Sequence, residues 1–248
     1  MKDQIQGKSV LVIGASGGIG AEIVNVFLAA GAGEVIAAGR KMPVNVRDRV
    51  TFIELDVVSE ESVRRVAEQI ADRVTIVVNS SGVNQNRRLI DIDSAAGRLE
   101  MEVNYFGLLN VFAAFSPAMK RRRQGTFVNI LSVLAHVNLP SMATYCASKA
   151  AALSLTQAMR AELAPFGVRV CAVLPPVVDT SMSAMAPVPK LSPTLVAHDI
   201  VQALIQGVED VYSGSAEKMR LALQQDWKAV ERMLASRLPV SAGITAGS

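Results

Sequence analysis

Short apolar runs of strand length alternate along the chain with stretches whose apolar residues recur at helical spacing. Residues 9–13 precede a helical pattern at 21–30, residues 35–38 stand before a loop, and residues 50–55 precede a helical pattern at 60–71. Residues 75–78, 125–131 and 168–174 read as further strands, with long helical patterns at 95–119 and 145–163. Such alternation predicts βαβ units and a parallel sheet. The strand runs are continuous in Val, Ile and Leu rather than alternating, which fits strands covered by helices on both faces. The expected architecture is α/β: one Rossmann-like, doubly wound parallel sheet flanked by helices.

Two stretches break the rhythm. Between Arg40 and Val50 lies only a short segment containing Pro43, too little for a full crossover helix, so a turn or single helical turn is expected. Residues 175–193 are loop-like and rich in Pro, Ser, Ala and Met. They follow the carboxyl end of a strand, where open α/β sheets place their ligands, and residues 176–193 are the candidate substrate lid. After them come a helical pattern at 198–208, a short edge strand at 210–212, and an amphipathic helix at 217–237 with the single tryptophan, Trp227. A Gly/Ala/Ser-rich tail at 239–248 is expected to be disordered.

Composition adds bounds. Of 248 residues half are hydrophobic, enough for one large domain, expected over residues 1–238, although length alone also admits two small ones. A net charge of +3 over 25 basic and 22 acidic residues gives no strong global field, which argues against nucleic acid and membrane partners. The one basic run, Lys120-Arg121-Arg122-Arg123, reads either as charges opposing the negative end of a helix or as an anion-binding patch. Cys146 and Cys171 are too few for a disulfide framework and lack the spacing of a metal site. The polar start passes into a short apolar run without a signal-peptide core, and no stretch reaches the ~18 apolar residues of a membrane helix. A soluble, cytoplasmic protein with reduced thiols is expected.

The candidate chemistry begins at the first strand-to-helix turn. Val10-Leu11-Val12-Ile13 leads into Gly14-Ala15-Ser16-Gly17-Gly18-Ile19-Gly20 and then a helix, an arrangement in which a pyrophosphate can lie against free backbone amides. Past the second strand stand Gly39 and Arg40. A ribose 2′-hydroxyl is usually held by an acid there, whereas a 2′-phosphate needs positive charge, so NADPH is favoured over NADH. Farther on, Tyr145-Cys146-Ala147-Ser148-Lys149 puts a Tyr and a Lys on one helical face, able to form an acid–base unit. Ser132 lies thirteen positions upstream.

On these residues the chain resembles the short-chain dehydrogenase/reductase superfamily over roughly residues 7–212. Gly14, Gly18 and Gly20 match its glycine motif, with Ile13 in place of the family's Thr. Asp56 is similar to its adenine-contacting Asp, and Asn79-Ser80-Ser81-Gly82 resembles its Asn-Asn-Ala-Gly motif. Asn104, Ser132, Tyr145 and Lys149 fall on its catalytic residues. The resemblance implies a cofactor site built from Gly14, Ser16, Gly18, Ile19, Gly20, Arg40, Asp56, Val57, Asn79, Ser80, Gly82, Tyr145, Lys149, Pro175, Val178 and Thr180, and no metal. The chain departs from the family at Ile13, at Ser80 and Ser81, and at Pro176, which replaces the glycine of the family's Pro-Gly.

The same resemblance implies a mechanism in which Tyr145 trades a proton with the substrate oxygen, Lys149 lowers the phenol's pKa, Ser132 orients the oxygen and Asn104 holds a relay water. The leading expectation is an NADP(H)-dependent reductase of a small-molecule ketone or aldehyde. An NAD-dependent alcohol dehydrogenase and a non-catalytic cofactor sensor are the alternatives. Met182, Met185, Pro187 and Leu191 suggest an apolar, adaptable substrate surface. His136 reads as an ordinary loop residue or a pocket wall, and Cys146 as packing. Family members assemble through their long helices, which implies a homo-oligomer here, a dimer or tetramer.

Overall fold

The computed structural model describes residues 4–41, 48–92 and 94–238. The segment around Pro43 and the tail at 239–248 lie outside these residues.

Seven strands, β1 (Ser9–Ile13), β2 (Glu34–Gly39), β3 (Val50–Glu54), β4 (Ile76–Asn79), β5 (Gly125–Ile130), β6 (Val168–Val173) and β7 (Asp210–Val211), form one sheet in the order β3-β2-β1-β4-β5-β6-β7. Every neighbouring pair is parallel. The chain grows outward from β1 in one direction and then from β4 in the other, so the order reverses between them. That reversal opens a crevice at the strands' carboxyl ends.

Within β1 the two-residue period sorts side chains between layers. Leu11 and Ile13 join the core that includes residues of α2 (Glu60–Ile70), α4 (Gly107–Arg122) and α5 (Ala143–Leu163). Val10 and Val12 join the opposite core, with α1 (Gly18–Ala29) and α6 (Pro193–Gln206). Both faces are therefore dry, the condition that the unbroken apolar strands imply. Local signals place the helix ends: Ser59 accepts from the Ser62 amide at 3.1 Å ahead of Glu60 and Glu61, a side-chain cap with acids at the positive end.

Two helical expectations change. The helical stretch expected at 95–119 is α3 (Ser94–Met101), a π turn (Glu102–Phe106) and then α4. The stretch expected at 217–237 is α7 (Ser215–Ala235), interrupted at Asp226, whose φ of −154° and ψ of 89° are not helical. The Asp226 carboxylate accepts from the Ala229 amide at 2.9 Å and caps a new helical start. The basic run lies in the last turn and C-cap of α4, as its helix-end reading expects, and it also reaches outward: Arg122 donates to the carbonyls of Ala71 and Val74 at 2.7 Å, Arg121 pairs with Asp72 at 3.1 Å, and Arg123 donates to Pro165. It ties α4 to the turns before β4 and β6.

Residues 175–193, expected as a loop, are closed at the neck. Val178 bridges to Leu191, the Asp179 amide donates to the Leu191 carbonyl at 2.8 Å, and the Leu191 amide returns to the Val177 carbonyl. Inside the neck, Thr180 caps a single turn at Ser181–Ser183. Among the described residues, no helix is long and apolar enough to cross a membrane.

Candidate active site

The glycine turn is held by contacts that only glycines permit. Gly14 has φ of 80° and its amide donates to Ala38 at 2.8 Å. A Cβ there would lie 2.8 Å from the Ser80 carbonyl carbon, and one at Gly20 would lie 2.1 Å from the Gly14 carbonyl oxygen. The first approach packs the turn after β1 onto the turn after β4, and the second presses the start of α1 onto the turn after β1. Gly18, with φ of 52°, has no room for a Cβ because the Thr180 methyl would be 2.8 Å away. The first and last cofactor candidates in the sequence therefore meet in one crevice. Gly17, the residue before α1, offers no side-chain cap, which leaves first-turn amides for an anion. Ser16 is exposed at the mouth of the turn, and Ile19 is half-buried against the core.

Arg40 is exposed at the end of β2. Beyond β3, Asp56 accepts from the Val58 amide at 3.1 Å, and the carbonyl of buried Val57 accepts from Asn110 at 2.9 Å. These residues flank one side of the reversal, at β2 and β3.

The motif after β4 turns through Asn79, whose side-chain oxygen accepts from both the amide and the hydroxyl of Ser81. Ser81 thus adds a second tie within the turn. The Ser80 amide donates to the Ile13 carbonyl at 2.9 Å, while the Ile13 side chain is buried in the core. At position 82 a Cβ would stand 3.3 Å from Asn104 Oδ1 and 3.5 Å from Lys149 Nζ. Gly82 therefore marks where those two side chains converge.

The four catalytic candidates come from three elements. Asn104 sits in the π turn; π turns of this kind are frequent at functional sites. Asn104 exchanges hydrogen bonds with the Val83 backbone, each at 2.9 Å, and donates to Ser148 Oγ at 2.8 Å. Ser148, not singled out by the sequence, donates in turn to the Tyr145 carbonyl. Lys149, on α5, is buried and donates to the Ile130 carbonyl at the end of β5 at 3.0 Å. Its Nζ lies 5.8 Å from the Tyr145 ring centroid. Ser132 accepts from the Leu134 amide at 3.1 Å, and its side chain acts on Tyr145 in the direction that favours the phenolate.

Burial dominates the electrostatics. It holds the Tyr145 phenol well above its ordinary value of 10, with Ser132 opposing. It lowers Lys149 from 10.5 to about 8. Each charged form loses hydration that its partner only partly replaces. Burial therefore favours the protonated phenol, the state that donates a proton to an oxygen, which is the opposite direction to the lowering expected from Lys149.

Pro175 accepts from the Val133 amide at 3.1 Å and fastens the Ser132 loop to the end of β6, while Val178 is buried at the neck. His136 is drawn aside: its Nε2 is 2.9 Å from the Tyr212 hydroxyl and the two rings stack. They line an open depression of about 680 Å³ with Arg220 and Trp227. Cys146 is buried and accepts from the Leu139 amide. No local pattern points to the His136–Tyr212 contact, which joins residues 76 positions apart.

A family model described as short chain dehydrogenase matches residues 8–188. The fold is similar to a crystal structure of a short chain dehydrogenase from Burkholderia cenocepacia J2315 in complex with NADP. The two are 41% identical with a TM-score of 0.89, over 95% of this chain and 100% of that one. Among curated proteins it is similar to short-chain dehydrogenase PC-15 of Penicillium crustosum, 36% identical over 70% of this chain and 66% of that protein. It is also similar to dehydrogenase/reductase SDR family member 7B of Xenopus laevis, 30% identical over 73% of this chain and 62% of that protein. The chain thus spans slightly under two thirds of the length of these two relatives.

Proposed function

Since the chain belongs to the short-chain dehydrogenase family, a family of oxidoreductases, we propose that it reduces a small-molecule ketone or aldehyde with NADPH. The observation that carries this reading is the meeting of Tyr145 with the buried Lys149 ammonium, whose Nζ lies 5.8 Å from the phenol ring centroid, at the sheet end where the glycine turn opens. A protonated phenol is the general acid that carbonyl reduction requires; oxidation of an alcohol would need the phenolate at rest.

The residues fit a nicotinamide dinucleotide. Gly14, Gly18 and Gly20 leave a cradle that side chains would fill, and the uncapped start of α1 suits a pyrophosphate. Ser16 and Ile19 would border that cradle, Asp56 and Val57 would hold the adenine, and Asn79, Ser80 and Gly82 would floor the crevice. Pro175, Val178 and Thr180 close it from the β6 side. When bound, the cofactor supplies the hydride. Tyr145 then delivers its proton to the substrate oxygen, and Ser132 orients that oxygen by hydrogen bonding. Lys149 stabilises the phenolate left behind, and Asn104 fixes the Val83 backbone and Ser148 around it. Residues 176–193, with Met182 and Met185 exposed, act as the lid over an apolar substrate, and α4 and α5 provide the faces for a dimer or tetramer.

NADPH is favoured because Gly39 brings no carboxylate and Arg40 is exposed beside it; the Burkholderia relative was solved with NADP. Arg40→Asp is expected to weaken NADPH by about tenfold or more, the loss of one charge-assisted phosphate contact, with far less effect on NADH. Equal losses in a fluorescence titration of the two cofactors would remove the phosphate assignment. The activity itself is tested by following NADPH oxidation across a panel of ketones and aldehydes. Turnover confined to alcohols with an oxidised cofactor would reverse the proposed direction.

A further inference from the structure

Glu100 is a carboxylate that the proposed proton transfer does not use, yet it is 1% exposed at the carboxyl end of α3. An unpaired buried carboxylate would be costly, and here two donors satisfy it. One oxygen accepts from the Gln85 amide at 2.7 Å, and the other accepts from the Thr144 hydroxyl at 2.5 Å. Gln85 belongs to the loop that follows Gly82, and Thr144 immediately precedes Tyr145. Gly97 permits the closeness of α3 and α5: a Cβ there would stand 3.2 Å from the Thr144 methyl. Asn104, four residues after Glu100, grips the same loop at Val83. Asn84 reaches Met142 from the loop's far side.

We propose that Glu100 is a positioning residue for Tyr145, a buried clamp that locks the loop after β4 to the first turn of α5 and so fixes where the phenol stands. The proposal rests on the assignment of Tyr145 as proton donor. Its geometry is particular: Glu100 addresses the loop one residue beyond Asn84 and addresses α5 one residue before Tyr145, so a single side chain sets the spacing between the crevice floor and the acid. The same carboxylate adds a negative charge near the phenol and opposes its ionisation, a disadvantage that a purely electrostatic role would not explain.

Glu100→Gln keeps the shape and can keep both contacts, accepting from Gln85 through its oxygen and donating to Thr144 through its amide nitrogen. Glu100→Ala removes both contacts. With the full-length protein, Glu100→Ala is expected to lower kcat by about ten- to a hundredfold, the cost of a misplaced reacting group, with NADPH affinity unchanged. Hydrogen exchange at the Gln85 amide should quicken at the same time. Glu100→Gln is expected to restore most of kcat and the protection of Gln85, and to move the pH profile of kcat/KM to lower pH because one negative charge near Tyr145 is gone. Equal kcat and equal Gln85 exchange in wild type and Glu100→Ala would overturn the clamp. So would a loss in Glu100→Ala that Glu100→Gln fails to rescue. If the wild type reduces no carbonyl, the reading of Tyr145 fails on its own, whereas the exchange measurement still decides whether Glu100 clamps the loop.

Discussion

Tyr145→Phe is expected to remove most turnover while NADPH still binds. The substitution deletes one oxygen, the one assigned to carry the proton, and leaves the ring in place on α5 with the Lys149 ammonium at its side. Positioned general acids contribute roughly 10²–10⁴-fold in rate, so a loss of about a thousandfold in kcat is the expected size. Cofactor affinity should hold because the glycine turn, the start of α1 and Thr180 are built from other elements. Steady-state kinetics on any accepted carbonyl, with NADPH fluorescence as the binding control, gives the answer. A variant that keeps a near-wild-type rate would show that Tyr145 does not transfer the proton.

Lys149→Met should move activity and stability in opposite directions. Burial lowers the pKa of Lys149 from 10.5 to about 8, so the folded protein releases this proton near pH 8 and the unfolded chain near 10.5. Between those values the unfolded state holds more protons, and stability from this group rises with pH. Below pH 8 the full penalty is present, about 3 kcal/mol. Methionine keeps the unbranched stem, one atom shorter, and loses the charge, but leaves the Ile130 carbonyl without its donor, a cost of about 1–3 kcal/mol. At pH 7 the net gain is about 1 kcal/mol, or about 3 °C in Tm. The gain should shrink and then reverse as the pH is raised toward 10.5. Turnover should fall by roughly a hundredfold or more, because nothing else offsets the phenolate charge left on Tyr145. Thermal melts across that range check the sign. A variant equally destabilised at pH 7 and pH 10 would show that the buried ammonium carries no penalty.

The parallel sheet was legible because its cause is local. Strands buried on both faces need unbroken apolar runs, and residues 10–13, 76–78 and 170–173 supply them. The glycine turn was legible for a related reason: its steric demands lie within seven residues, so Gly14 and Gly20 meet in sequence as well as in space. The Tyr145–Lys149 pair depends only on helical spacing. Ser148 stood in the same string without a role, since its partner Asn104 is 44 positions away.

Other features depend on neighbours that periodicity does not see. A π turn changes the face of a helix without changing its composition, so the pattern at 95–119 read as one helix although Glu102–Phe106 breaks its register. Asp226 breaks α7 by capping Ala229 through a single side chain. The Glu100 clamp joins residues 15 and 44 positions apart, and Arg122 reaches back about 50 positions to Ala71 and Val74. The sequence by itself determined the sheet, the turn at its centre and the residue types of the site, because repeat spacing and glycine sterics act within a few residues. Tertiary structure alone decided which carboxylate faces the loop, how deeply Lys149 is desolvated and that Thr180 reaches Gly18. Burial and contact are properties of elements brought together, and the cost of charge depends on that surrounding rather than on the residue carrying it.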